Sequence, residues 1–249
     1  MGLFDLFKKS KNNQQDLQPL LVDMHSHLLP GLDDGSESIE ESVDMIKELA
    51  GLGYKKLICT PHIMGDFYKN TPESIHEKLQ LLKNKLVQEQ IPIELEAAAE
   101  YYLDEWFLDR LSKPETLMTF GGKFLLIETS YLNEPVNLDE TIFQIKASGF
   151  YPVLAHPERY TYLYSDFSKF KDIFSKEIYF QININSLSGY YSKPAQVYAK
   201  KLIENNMVHF AGTDCHGMRH IHALKKTRQS SIYRNLIKLP LLNNGLLSA

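Results

Sequence analysis

The chain has 249 residues, 43% of them apolar, and a formal charge of −4 with its nine histidines neutral. That is ample material for a core, so wholesale disorder is excluded, and a mildly acidic chain without a large basic run is not built for nucleic acid. No apolar stretch approaches the ~18 residues of a membrane span, the first residues lack a signal-peptide pattern, and two cysteines, Cys59 and Cys215, make no disulfide framework, so a reducing cytoplasm is expected.

In chain order, residues 1–19 read as a flexible arm, polar and rich in Lys, Asn and Gln after its first residues. Leu3, Phe4, Leu6 and Phe7 beside Lys8 and Lys9 could touch a membrane surface or a partner, though a disordered tip is the plainer reading of so short a segment. Residues 20–249 are expected to form one domain. In it a short apolar run, a turn and a helical pattern recur. The runs are 20–24, 56–60, 91–98, 124–127, 151–155, 178–184 and 208–211, short and rich in Ile, Leu, Val and aromatics, as strands buried on both faces should be.

The spacing of apolar residues predicts helices between the runs. Residues 38–49 carry Ile39, Val43, Ile46 and Leu49, with Ser36 or Ser38 to cap the start and Gly51 or Gly53 the end. Residues 73–90 carry Ile75, Leu79, Leu82 and Leu86. Further helices are expected over 138–148, 167–175 and 194–205, with a weaker one over 222–236. Residues 101–123 read as an irregular insertion with a helix over 104–111. Alternating strand and helix implies a parallel sheet with right-handed crossovers. Seven such units suggest an α/β fold of the small βα-barrel kind, with a doubly wound open sheet as the alternative.

The functional signal lies at the end of each run. In turn come Asp23-Met-His-Ser-His27, Thr60-Pro-His62, Glu100, Glu128, His156-Pro-Glu-Arg159, Asn183-Ile-Asn185 and Gly212-Thr-Asp-Cys-His216. In a βα barrel the C-terminal strand ends converge on one mouth, where residues so distant in sequence can meet. His25 and His27 stand at i and i+2, on one face of an extended strand. With His62, Glu100, Glu128, His156, Asp214 and His216 they make eight candidate ligands, more than one ion needs. Two or three ions with a bridging carboxylate satisfy such a set, and imidazole with carboxylate and no thiolate suits Mn, Fe or Zn. His76, His209, His220 and His222 read instead as ordinary hydrogen-bonding histidines. Asp33-Asp34-Gly35 reads by itself as a turn.

The run Asp23-Met-His-Ser-His-Leu-Leu-Pro-Gly-Leu-Asp-Asp-Gly-Ser36, with Thr60-Pro-His62, Glu100, Ile127-Glu128, Ala155-His-Pro-Glu-Arg-Tyr160 and Gly212-Thr-Asp-Cys-His216, resembles the PHP (polymerase and histidinol phosphatase) superfamily. It is most similar to the branch of bacterial tyrosine-protein phosphatases from capsule and exopolysaccharide loci. The resemblance spans about residues 20–240 and implies a distorted (β/α)7 barrel holding three divalent ions, manganese first among the candidates. It implies that His25, His27, Glu100 and Asp214 hold one ion, and that Glu100 bridges to a second held by Glu128 and His156. Asp34, His62 and His216 would hold the third, with Asp33 as a rival to Asp34. It further implies two phosphate-binding arginines, Arg159 and Arg219, with Arg228 an alternative to the latter. The implied substrate is phosphotyrosine on the tail of a cytoplasmic bacterial tyrosine autokinase.

Clustered cations suit a phosphate monoester, whose charge they offset. A cysteine-based mechanism fails, since the residue six after Cys215 is Ile221 rather than Arg. The rival readings are a phosphoesterase for a small ester such as histidinol phosphate, a metal-dependent amidohydrolase, and a non-catalytic metal-binding docking module. Tyr101, Tyr102, Tyr131, Tyr160, Tyr190 and Tyr191 stand close after the candidate ligands and could rim the mouth for a phenyl ring, or could simply pack in the barrel.

Overall fold

The computed structural model describes residues 19–113 and 116–248. The expected arm and its apolar tip, Pro19 apart, therefore lie outside the described residues. From Leu20 on, strand and helix alternate. β1 (Val22–Asp23) leads to α1 (Ile39–Gly51), β2 (Lys56–Cys59) with its restart β3 (His62–Ile63) to α2 (Pro72–Gln88), and β4 (Glu94–Ala97) with its restart β5 (Glu100–Tyr102) to α3 (Glu105–Leu111). Then come β6 (Phe124–Glu128) and α4 (Leu138–Ala147), β7 (Tyr151–Ala155) and α5 (Ser168–Ser175), and β8 (Tyr179–Asn183) and α6 (Lys193–Glu204). β9 (Phe210–Gly212), α7 (Met218–Thr227) and α8 (Ser231–Leu236) complete the series.

The capping chemistry is local. Ser38 accepts from the Glu41 amide to start α1, and Gly53, at φ +98°, comes just after its end. Thr71 and Ser74 form a reciprocal capping box at the start of α2, with Pro72 in its first turn. The weaker helix expected over 222–236 is two helices. It begins at Met218 and breaks near Ser230, whose hydroxyl accepts from Tyr233 N and so caps a new start.

Among the described residues the named strands all pair in parallel, in the orders β1-β2-β4 and β3-β5-β6-β7-β8-β9. The two sheets are one series. Pro61 has no N–H to give, so the second strand stops at Cys59 and resumes at His62. Its neighbour breaks opposite, at Ala98 and Ala99. Backbone bonds cross the break, from Ala98 N to Cys59 O (2.9 Å) and from Glu100 N to Pro61 O (3.1 Å). Seven strand positions result. The last returns to the first, because Ser26 and Cys215 form a parallel bridge and His27 N donates to Cys215 O at 3.0 Å. This return makes the fold a distorted (β/α)7 barrel rather than an open sheet.

At the opposite end the seam between β1 and β9 is closed by a side chain. Asn243 Nδ2 donates to Val22 O (3.0 Å) and Ala211 O (2.8 Å), and its Oδ1 accepts from Ala211 N (3.0 Å). Asn243 belongs to the C-terminal 3-10 segment Asn243–Ser248, which also brings Leu246 into an apolar cluster with Val22, Ile58, Leu126 and Phe210. The larger cluster packs the helices against the sheet.

Candidate metal centre

The polar residues that end the strands meet at one mouth, around Glu100. Its Oε2 lies 3.1 Å from His25 Nε2, 3.3 Å from His27 Nε2 and 3.4 Å from His62 Nε2, and its Oε1 lies 3.0 Å from His156 Nε2. Glu128 Oε1 is 3.4 Å from His62 Nε2. Asp214 Oδ1 is 3.5 Å from both His25 and His27. Among the described residues, three groups have ligand atoms close enough to share a cation: His27, Asp34, His62 and His216; His25, His27 and Glu100; and His62, Glu100 and Glu128. The structure thus brings together all nine residues named from the sequence as ligand candidates.

Asp33 and Asp34 divide the work of their turn. The Asp33 side chain is fully buried and accepts from His27 Nδ1 (2.7 Å) and His62 N (2.9 Å). Burial opposes its charge, but His27 and His62 hold it well below the usual carboxylate range. Asp34 is open, with Oδ1 3.4 Å from His62 and 3.5 Å from His216. The turn needs Gly35, where a Cβ would meet His27 O at 2.3 Å.

The donor set fits cations on its own chemistry. His25 Nδ1 gives its proton to Gln181 Oε1 at 2.8 Å and His27 Nδ1 gives its proton to Asp33. Gln181 is oriented for this, since the same Oε1 accepts from His156 N and its Nε2 donates to Asn183 Oδ1. Both Nε2 atoms then face one another at 3.2 Å and both face Glu100 Oε2, an arrangement that calls for positive charge, supplied by added protons or by a bound cation. Glu100, Glu128 and Asp214 are each at most 3% exposed. Burial, then the Glu100 carboxylate, pushes Glu128 up to about 8. Burial opposes the charge on Glu100, which His25 and His156 nevertheless hold well below the usual range.

Arg159 stands at the edge of the cluster with Nη1 3.0 Å from Asp214 Oδ2. Its guanidinium lies between two rings, 4.5 Å from the centroid of Tyr131 and 4.1 Å from that of Tyr191. Tyr191 OH also donates to Asp214 Oδ2 at 3.1 Å. Beneath, Glu158 is buried, accepts from Asn183 N and Ser186 Oγ, and is pushed up to about 7 by burial against those bonds.

Above the cluster is an open cavity of about 630 Å³, with Met64, Tyr68, Tyr102, Tyr131, Leu132 and Tyr191 in its wall. Three of the six tyrosines near the candidate ligands are therefore there. Tyr101 and Tyr160 are core residues, their hydroxyls accepting from Met118 N and Thr129 N, and Tyr190 is exposed outside the cavity wall.

Two expectations about cations and histidines need correction. Arg219 does not reach the cavity: it lies on the first turn of α7, exposed to solvent. Arg228 is farther still, with Nη1 on Leu52 O. His220, expected to be an ordinary bonded histidine, lines the cavity instead, and burial pushes it down to about 4. His76 does bond locally, to Pro72 O, His209 Nδ1 accepts from Phe180 N, and His222 is exposed. Cys215 is buried against Met45, its thiol pushed up by burial, and faces away from the cluster.

Known proteins share this pattern of sequence and fold. The family model described as capsular polysaccharide synthesis, CpsB/CapC, matches residues 21–234. The chain belongs to the CpsB/CapC family. It is 29% identical over 199 residues to the tyrosine-protein phosphatase YwqE of Bacillus subtilis, covering 80% of this chain and 78% of that one. It is 26% identical over 203 residues to the tyrosine-protein phosphatase CpsB of Streptococcus agalactiae, covering 80% and 84%. A solved structure from work on YwqE and on CpsB of Streptococcus pneumoniae, described as unique metal-dependent tyrosine phosphatases, matches with a TM-score of 0.81 at 26% identity, over 91% of this chain and 94% of that one. A histidinol phosphate phosphatase of Lactococcus lactis shares the fold alone, with a TM-score of 0.50 at 14% identity over 84% of this chain and 93% of that one.

Proposed function

We propose that this member of the CpsB/CapC family is a metal-dependent protein-tyrosine phosphatase, acting in the cytoplasm on the tyrosine-rich tail of a bacterial autokinase, with residues 20–249 as one catalytic domain. The observation that carries the reading is the Glu100-centred cluster with Arg159 at its edge, open to a cavity walled by aromatic side chains. His25, His27, Glu100 and Asp214 hold a first cation, Glu100, Glu128 and His156 a second, and Asp34, His62 and His216 a third. Manganese is the metal proposed, with iron and zinc as the alternatives that the same ligands would take. Bound there, divalent cations offset phosphate charge and lower the pKa of water from ~15.7 towards neutrality.

The chain's own residues supply the rest. Arg159, with its guanidinium against the rings of Tyr131 and Tyr191, keeps N–H groups beyond the one on Asp214 for phosphate oxygens. The cavity wall of Tyr68, Tyr102 and Leu132 offers apolar surface to a phenyl ring. A tyrosine leaving group, with a pKa near ~10, needs little protonation as it departs. The test compares kcat/KM for phosphotyrosine peptides, phosphoserine peptides and histidinol phosphate on the manganese-loaded protein. Preference for the first supports the reading. Preference for either of the others overturns the substrate, and equal activity after complete chelation overturns the metal dependence.

A further inference from the structure

Arg159 lines one part of the cavity, and the cation expected beside it after His216, Arg219, is exposed and does not line it. We propose that His220 takes that place as a substrate-contacting residue, its imidazole N–H donating to a phosphate oxygen opposite Arg159. This rests on the phosphatase reading above for the identity of the ligand, though not for its chemistry.

The geometry comes from how α7 starts. Only Gly217 separates His216 from the first helical residue, Met218. At about 100° per residue, neighbours on the first turn point in clearly different directions. The buried stripe of α7 is Ile221, Leu224 and Thr227. His220 falls within that stripe, and Arg219 falls nearly opposite its centre. The helix therefore holds His220 over the mouth by the same packing that exposes Arg219.

His220 is fixed there from both sides. Asn185 Nδ2 donates to its carbonyl at 3.0 Å, which gives a role to the second asparagine of the Asn183-Ile-Asn185 tip. Its ring lies 5.4 Å from that of His216, 5.0 Å from that of Tyr190 and 6.2 Å from that of Tyr191, centroid to centroid. It shares the cavity wall with Arg159, Tyr191 and His216. Among the described residues neither ring nitrogen has a hydrogen-bond partner, whereas His25, His27 and His62 are all held by carboxylates or an amide. An imidazole carries at least one N–H whichever its protonation state, so the donor is present throughout. It is also outside the three groups whose atoms lie close enough to share a cation.

The test is the affinity of inorganic phosphate for the manganese-loaded full chain, by calorimetry, with bound metal counted in every variant. His220→Ala is expected to weaken phosphate by about tenfold or more, as loss of one hydrogen bond to a charged group should. Metal content and melting temperature are expected to stay at the wild-type level. His220→Gln, which keeps a donor, should recover part of the affinity, and Arg219→Ala should bind phosphate as the wild type does. Unchanged affinity in His220→Ala overturns the proposal, as does loss of metal there, which would make His220 a ligand. Should the wild type bind phosphate through His220 yet turn over no phosphotyrosine, the proposal stands and the phosphatase reading falls.

Discussion

The mouth and the floor of the barrel are opposite ends of the same strands. At the floor the strands begin with aromatic residues: Phe124, Tyr151, Tyr179 and Phe210 lie ring to ring, two pairs edge to face, at centroid distances of 5.1–6.2 Å. Its polar groups are matched in place. Asn243 makes three hydrogen bonds across the seam, and Lys56 Nζ meets Glu96 at 2.7 Å and Leu246 O at 2.8 Å. At the mouth three buried carboxylates and a ring of imidazoles face each other at 3.0–3.5 Å. The backbone differs as well. Gln90, Glu177 and Asn206 have positive φ just past helix ends, where that conformation is an ordinary stop. His156 (φ 35°) and Asp214 (φ 49°) have it where strands end at the mouth. The floor thus matches its polar groups within the protein, whereas the mouth gathers groups that could hold cations.

The largest test of that contrast is at Glu100, the carboxylate that touches four histidines. Glu100→Ala is expected to lose bound metal and to fall to the turnover of chelated protein, measured by elemental analysis beside a phosphotyrosine-peptide assay. Manganese should also raise the melting temperature of the wild type by mass action and leave that of Glu100→Ala nearly unmoved. A variant with full metal and full turnover would break the comparison. Next comes Arg159→Ala, expected to lower kcat by ~10²-fold with metal content unchanged, as for removal of one charge-stabilising donor. Tyr191→Leu, which removes one face of the guanidinium clamp and the hydroxyl on Asp214, should cost about tenfold in kcat/KM. Tyr191→Phe keeps the ring and should cost less. An equal loss in the two variants would show that the hydroxyl, not the stacking, matters most.

Much of this is legible in the sequence because the signal is local. An apolar run that ends in His, Asp or Glu names a strand and its functional end together, so His25, His62, Glu128 and His156 can be read without a structure. Apolar spacing likewise locates α1, α2, α4 and α6 to within a few residues. The features that escape a sequence reading depend on distant partners. Gln181 looks like a stray polar residue in an apolar run, and only its contact with His25, 156 residues away, gives it a purpose. The turn of Asp33 and Asp34 is symmetrical in sequence until His27 and His62 bury one and His216 meets the other. The restart of the second strand is readable in Pro61, a residue that cannot donate to a ladder, and the matching break at Ala98 and Ala99 is not. His220 and Arg219 read wrongly from sequence because the starting point of α7 decides which of them faces the cavity, and that start has no side-chain cap to announce it.

The smallest effect on chemistry is expected from the floor, where the effect on stability should be plain. Asn243 is fully buried and stands in for the ladder that β1 and β9 do not form there. Asn243→Ala leaves Ala211 N, Ala211 O and Val22 O without that partner in a place water reaches poorly. Leaving such groups unpaired costs about 3 kcal/mol in all, or about 6–12 °C of melting temperature for a domain of this size. The mouth should not notice. Its end of the same seam is held separately, by Thr213 donating to Asp23 from its amide (2.9 Å) and hydroxyl (2.5 Å) and by the bridge between Ser26 and Cys215. Below its melting transition, manganese-loaded Asn243→Ala should therefore keep wild-type metal content and a kcat within about twofold. If kcat falls in step with stability, the two ends are coupled through the seam, and the division between a self-sufficient floor and a cation-dependent mouth is wrong.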